Sequence, residues 1–316
     1  MTKCQSRVDK GPFTAIVAAN RQIGQRFYRL SLEFKGTGGK AFAKTVPGQF
    51  VQIDLSCVGL PTVEAIPEYL RDVAERKVLL RRPFSFCDVS IKGDKTFVEI
   101  LYCAIGPASL RMTTLVKGNS ISVIGPLGNG FRIPDDKKTA VLVIGGMGAG
   151  PLIHLAKVLR TNSEPREVIA FVGANTAIAL PFEGQLDGFS KQMGFSLSEF
   201  TRYDMKSLVA TDDGSAGYKG FVTDCLEQWL SKYKSASKDM IIYSCGPEAM
   251  LAKVAWIAQG YNIDCQVSME EMMACGIGLC QSCAVECKAE GAAETVYKMC
   301  CTDGPVFDSD EVVFKL

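Results

Sequence analysis

Residues 139–159 read T-A-V-L-V-I-G-G-M-G-A-G-P-L-I-H-L-A-K-V-L, and this stretch decides the fold class. After Thr139 its next five residues are apolar and rich in Val and Ile, the mark of a strand buried on both faces. Glycines then interrupt the run at 145, 146, 148 and 150, and Pro151 opens an amphipathic segment, PLIHLAKVLRT. The glycines, with His154 and Lys157, argue for strand, turn and helix rather than a membrane span. A glycine turn feeding a helix N-terminus offers free N–H groups and a favourable dipole to a diphosphate. Gly146, Gly148 and Gly150 are therefore candidate nucleotide-binding residues. The motif is not a strict G-x-G-x-x-G, and a tight structural turn reads similarly.

On either side the pattern shifts. From about 137 to 265, EVIAFVG, SLVATDD and MIIYSCG each precede a helical segment, the last two FVTDCLEQWLSKY and PEAMLAKVAWIAQ. PFEGQLDGFSKQM is read as the helix after EVIAFVG. Apolar strands alternating with helices predict a parallel sheet covered on both faces. Cys245 and Gly246, in Cys245-Gly-Pro-Glu-Ala-Met250, form a second strand-to-helix turn at the same end of that sheet, where ligand crevices lie; a structural turn with a buried thiol is the alternative. Towards the N-terminus, FTAIVAA, FYRLSLEF, GQFVQIDL, FSFCDVS and FVEILYCAI are short runs spaced by turns, predicting an antiparallel barrel or sandwich. Helix formers (EYLRDVAERKVLL) mark a helical insertion over about 57–80. The last fifty or so residues are rich in Gly and Cys and too short for a core of their own, a deficit a metal centre offsets. The expected division is 1–135 for the barrel, 136–265 for the α/β domain and 266–316 for a small metal-bearing arm.

A net charge of +1 over 316 residues removes nucleic acid and anionic membranes as default partners. The N-terminus, MTKCQSRVDKGPF, lacks the apolar stretch of a secretory signal, so a cytoplasmic location is expected. A single histidine, His154, leaves no inventory for a His-based metal site or a Ser-His-Asp triad. Thirteen cysteines are unevenly spread: six fall between 275 and 301, and singles at 4, 57, 87, 103, 225, 245 and 265 read as small buried hydrophobes.

Cys275-Gly-Ile-Gly-Leu-Cys280-Gln-Ser-Cys283 has the C-x4-C-x2-C spacing of a plant-type [2Fe–2S] loop, in which three thiolates come from one loop and the fourth from afar. Gly276 and Gly278 let the backbone wrap closely and aim N–H groups at sulfur. Structural zinc is the competing reading, but zinc sites usually pair C-x2-C with a second C-x2-C, which this chain lacks. Cys287, Cys300 and Cys301 are all available as the fourth ligand, and spacing does not choose between the last two. Arg82-Pro83-Phe84-Ser85 at a strand start suits a flavin and its phosphates, and Gly106-Pro-Ala108-Ser109 suits a phosphate turn at a helix start. Taken alone, each reads equally well as ordinary structure.

In order, these motifs resemble the ferredoxin–NADP reductase superfamily and, within it, the electron-transfer subunits of class 1B dihydroorotate dehydrogenases. The resemblance covers nearly the whole chain: PGQF (47–50), RRPFS (81–85), GPLGNGF (125–131), GGMGAGPL (145–152), ATDDGSAGYKGFVTD (210–224), CGPEAM (245–250), MACGIGLCQSC (273–283) and CTDGPVF (301–307). It implies a flavin-binding barrel, a nicotinamide-binding domain and a cluster arm carrying FAD, NAD and a [2Fe–2S] cluster. It further implies that Arg82, Pro83, Phe84, Ser85, Leu101, Tyr102, Cys103, Ala108 and Ser109 contact FAD, and that Cys301 is the fourth cluster ligand. Ala108 and Ser109 stand where the family has Gly-Thr, and the 57–80 insertion is a second departure. The implied partner is an FMN-containing catalytic subunit that oxidises dihydroorotate in pyrimidine biosynthesis, in a heterotetramer with NAD⁺ as terminal acceptor. Two alternatives remain: a flavin/iron–sulfur reductase subunit of another redox complex (hydrogenase, sulfite reductase or ferredoxin-linked), and a zinc-stapled nucleotide-sensing protein. No basic cluster awaits a 2′-phosphate, which leans to NAD, Arg202 being the one candidate for NADP.

Overall fold

A computed structural model describes residues 10–183, 197–232, 238–289 and 294–315. Cys4 and most of the segment PFEGQLDGFSKQM lie outside the described residues.

The first layer is a closed barrel. Its strands are β1 (Gly11–Gln22), β2 (Phe27–Phe34), β3 (Phe50–Ile53), β4 (Arg82–Lys92), β5 (Lys95–Cys103) and β6 (Ser120–Leu127). All pair antiparallel, in the order β1-β2-β5-β4-β3-β6 and back to β1. Helix α1 (Gly36–Phe42) plugs one end, where Phe42 stacks on Phe34 at 3.9 Å between ring centroids. Inward residues such as Val51, Ile53, Leu30 and Val98 fill the interior. Strand β6 escaped the apolar-run reading because its outward residues are polar or small, a half-exposed alternation rather than a run.

The expected helical insertion is helical only in short pieces: a 3₁₀ turn (Val63–Ala65), then a second (Glu68–Leu70) running into a single α turn, α2 (Arg71–Ala74). Pro67 holds Ile66 extended (ψ 118°), and the ring of Pro61 restricts Leu60 in the same way, so the helix breaks into short pieces. Ile66, Leu70 and Ala74 nonetheless bury one face against Leu110 of α3 (Pro107–Met112).

The second layer is a seven-stranded sheet in the order β10-β9-β8-β7-β11-β12-β15. It comprises β7 (Thr139–Gly145), β8 (Glu167–Ala174), β9 (Lys206–Thr211), β10 (Tyr218–Lys219), β11 (Met240–Cys245), β12 (Asp264–Ser268) and β15 (Val306–Asp308). The first six run parallel and β15 antiparallel to β12. Helices α4 (Ala149–Thr161) and the short α5 (Ser198–Thr201) cover one face, and α6 (Val222–Leu230) and α7 (Glu248–Tyr261) the other. The arm between β12 and β15 holds a two-stranded ribbon, β13 (Ala284–Lys288) and β14 (Thr295–Met299). At three residues, β15 is too short for a sequence pattern to announce.

The arm is also tied to the barrel. The Asn129 side chain donates to the carbonyls of Thr302 and Asp303, and its backbone N–H to Gly304, joining the GPLGNGF and CTDGPVF segments. Of the scattered cysteines described, Cys87, Cys103, Cys225, Cys245 and Cys265 are buried as expected, whereas Cys57 is exposed, on the insertion loop. Among the described residues no helix is long and apolar enough to cross a membrane.

Candidate functional site

Two adjoining cavities open where the carboxyl ends of the parallel strands meet the barrel. The first, about 460 Å³, is lined by Arg82, Pro83, Phe84, Ser85, Leu101, Tyr102 and Cys103 from β4 and β5, and by Ala108 and Ser109 from the start of α3. That volume and apolar lining with a few polar groups suit part of a large planar cofactor. The Arg82 guanidinium donates to the carbonyls of Leu80 (3.0 Å) and Arg81 (3.2 Å), which fixes it at the rim. Tyr102 is anchored from behind, its hydroxyl donating to Asn20 (3.1 Å) and its ring stacked on Tyr28 (5.2 Å). The Ser109 hydroxyl accepts the N–H groups of Ile105 (3.0 Å) and Gly106 (3.1 Å). Its visible work is to hold the turn, while Ala108 brings only backbone and a methyl to the cavity wall.

The second cavity, about 710 Å³, is lined by Gly145, Gly146, Gly173, Asn175, Asp212, Thr223 and the start of α7. Cys103, Ile105 and Met147 line both cavities, so the two are neighbours across a shared wall. The predicted glycines divide between two kinds of work. Gly146 lines the second cavity, and Gly150 and Cys245 the first. Gly148 and Gly246 instead pack the two strand-to-helix turns together: a Cβ on Gly148 would lie 2.0 Å from the Cys245 carbonyl oxygen, and one on Gly246 2.8 Å from Gly145 Cα. Cys245 is 2% exposed, and burial holds its thiol well above the usual range, keeping it neutral.

Asp212, just past β9, reaches the second cavity. A carboxylate at that position can accept from a ribose hydroxyl and repels a 2′-phosphate. The sequence does not single it out, because which loops converge on the crevice is visible only in the folded sheet. Arg202, the candidate for a 2′-phosphate, does not line this cavity and lies over the Tyr203 ring instead, 5.0 Å from its centroid. Also missed were Met269, Glu270, Glu271, Met273 and Pro305, which close the first cavity on the side of the arm. They follow β12 or precede β15, neither of which was foreseen.

Beyond that wall lies the cysteine loop. The N–H groups of Ile277 (3.5 Å) and Cys280 (3.4 Å) point at Cys275 Sγ, and Ser282 Oγ lies 3.2 Å from Cys280 Sγ. Hydrogen bonds from the Ser282 hydroxyl and N–H, and from the Cys275 N–H and thiol, draw the Cys280 thiol down to about 6, towards thiolate. Gly276 (φ +72°) and Gly278 (φ +86°) take the left-handed turns this wrapping requires. Cys301 adjoins the Cys283 thiol, the Gly278 N–H and Cys275. Its neighbour Cys300 turns the other way, its thiol donating to the Met269 carbonyl at 3.5 Å. Cys287 is fully buried in β13, beside Val312 and away from the loop.

Among the described residues, no three Cys, His, Asp or Glu side chains gather tightly enough to hold one metal ion. The thiols instead approach in two pairs, Cys275 with Cys280 and Cys283 with Cys301. An all-sulfur set so arranged fits a two-iron cluster with two thiolates on each iron.

Comparison with known proteins accords with this geometry. Residues 270–313 match the family described as the iron-sulfur cluster binding domain of dihydroorotate dehydrogenase B, and residues 142–255 match the oxidoreductase NAD-binding domain. The protein described as dihydroorotate dehydrogenase B (NAD(+)), electron transfer subunit, of Caldanaerobacter subterraneus subsp. tengcongensis is 33% identical over 300 residues, spanning 95% of this chain and 98% of that one. Its counterpart in Geobacillus kaustophilus is 34% identical, spanning 94% and 96%. The chain belongs to the dihydroorotate dehydrogenase B electron transfer subunit family.

Solved structures show how far the fold of this family extends. An NADH-dependent reduced ferredoxin-NADP oxidoreductase chain superposes with a TM-score of 0.68 at 24% identity, covering 95% of this chain and 90% of that one. Phthalate dioxygenase reductase follows at 0.53 and 13% identity, covering 92% and 77%. The barrel, parallel sheet and their order along the chain are thus shared well beyond the family.

Proposed function

We propose that this chain carries electrons between an FMN-containing subunit that oxidises dihydroorotate and NAD⁺, through its own [2Fe–2S] cluster and FAD. The observation that carries this reading is the linear order of the sites. The second cavity shares Cys103, Ile105 and Met147 with the first, and the far wall of the first runs through Met273 into the loop of Cys275. Bound FAD supplies two-electron exchange with nicotinamide and one-electron exchange with the cluster. The chain's own residues position these groups. Arg82, Ser85 and the 106–109 turn hold the flavin and its phosphates against Leu101, Tyr102 and Cys103. Gly146 and the start of α7 seat NAD(H), and Asp212 receives the adenosine ribose. Cys275, Cys280, Cys283 and Cys301 would hold the cluster, which passes single electrons.

The name of the relatives, an electron transfer subunit, points to a separate catalytic subunit, and the assembly is proposed as a heterotetramer of two such pairs. The division at 1–135, 136–265 and 266–316 then corresponds to FAD, NAD and cluster units. The test is purification of the chain alone and with its native companion. The reading expects bound FAD, iron and acid-labile sulfide in the isolated chain, NADH-driven dye reduction, and dihydroorotate-dependent reduction of NAD⁺ only with the companion. A colourless chain, or a companion inert towards dihydroorotate, overturns it.

A further inference from the structure

Gln52 sits midway along β3 and is fully buried, yet neither its side-chain nitrogen nor its oxygen has a hydrogen-bond partner among the described residues. The other buried glutamines do not behave this way. Gln49 donates to the Gly128 carbonyl (2.9 Å) and accepts from Val46 N–H (3.0 Å), and Gln266 both donates to and accepts from the Arg132 backbone. A buried amide without partners is costly, so an unpaired one marks a place where a partner belongs.

The direction of the side chain identifies that place. A Cβ built on Gly276 would fall 2.3 Å from Gln52 Nε2, so the amide presses against the backbone immediately after Cys275. That sulfur is already the convergence point of the Ile277 and Cys280 N–H groups. Alternation along β3 adds the second link. Val51 and Ile53 point into the barrel core, so Phe50 and Gln52 share the outer face. Phe50 lines the flavin cavity and Gln52 meets the cluster loop.

We propose that the Gln52 side-chain amide is a hydrogen-bond donor to the [2Fe–2S] cluster on its Cys275 side, supplied by the flavin barrel rather than by the cluster arm. This rests on the cluster assignment above. A donor to a cluster sulfur stabilises the extra negative charge of the reduced state, so Gln52 raises the reduction potential and favours electron arrival at the cluster.

The test uses the full chain with its cofactors, comparing wild type with Gln52→Leu and Gln52→Met, which fill similar volume without a donor. Iron and sulfide content and the EPR spectrum of the reduced cluster are measured first; their absence in wild type would remove the underlying assignment itself. An EPR-monitored titration then gives the potentials. In an occupied variant the cluster's electron affinity is expected to fall about tenfold, about 59 mV for one electron, with the flavin potential unchanged. Occupied clusters at the wild-type potential in both variants overturn the proposal, as does a shift of the flavin potential with the cluster left unmoved.

Discussion

At the scale of single residues, Cys300 and Cys301 show how adjacent positions in a tight turn take opposite duties. The chain turns after β14, so one thiol faces the Met269 carbonyl and the other the cysteine loop. Cys300→Ser is therefore expected to keep full iron content and the visible cluster bands, and Cys301→Ser to lose most of both; the reverse pattern refutes the assignment. Gly276→Ala should impair cluster loading as well. A side chain at φ +72° costs on the order of 1–2 kcal/mol, and the new methyl meets Gln52 besides. Iron content per chain after standard reconstitution measures it. The three-cysteine loop was legible because its geometry is local: spacing and glycines alone dictate a wrap around sulfur. Cys301 was reached only through the resemblance of the CTDGPVF segment, not through spacing, whereas the Gln52 contact and Asp212 depend on segments far apart in sequence that no local pattern encodes.

At the scale of elements, the 57–80 insertion behaves as a brace on the 106–109 turn. Arg111 Nη1 donates to the carbonyls of both Ala74 (3.1 Å) and Pro107 (2.9 Å), and Tyr69 donates to the Ala104 carbonyl (3.2 Å). Leu70 and Leu110 close the small apolar cluster between them. Leu70→Ala should cost about 2–3 kcal/mol locally, the low end for a core leucine because the cluster is small. It should release FAD several-fold faster, read from the rise in free-flavin fluorescence, while iron content stays constant. Unchanged FAD release would mean the insertion does not brace the site. Helix formers announced the insertion, but Pro61 and Pro67 limited it to isolated turns. The strands of the parallel sheet were far more legible, since β7, β8 and β11 are largely apolar and admit few other readings.

At the scale of the whole molecule, α4 packs against both the parallel sheet and barrel strand β4, and His154 lies in that seam. Its Nδ1 has no partner among the described residues, and burial brings its pKa down to about 4 despite Asp88 nearby, with Lys157 adding to the depression. Because the folded value is depressed, the unfolded chain takes up the proton first as pH falls. The stability that neutral His154 contributes is complete above about pH 6.5 and is lost progressively down to about pH 4. At about 1.4 kcal/mol per pH unit the loss approaches 3 kcal/mol. His154→Gln is expected to flatten that slope in denaturant unfolding followed between pH 7 and 4, and an identical slope in both proteins refutes the assignment. A different consequence attaches to β15, which completes the parallel sheet from beyond the cysteine arm. On the ribosome the barrel strands and the six parallel strands are all made before residue 270, and the thiols at 275, 280, 283 and 301 follow. Residues 306–308, which fasten the arm to the sheet edge, come after them. The outer edge of β12 therefore stays unpaired until the whole cysteine segment has been made and residues 306–308 follow it.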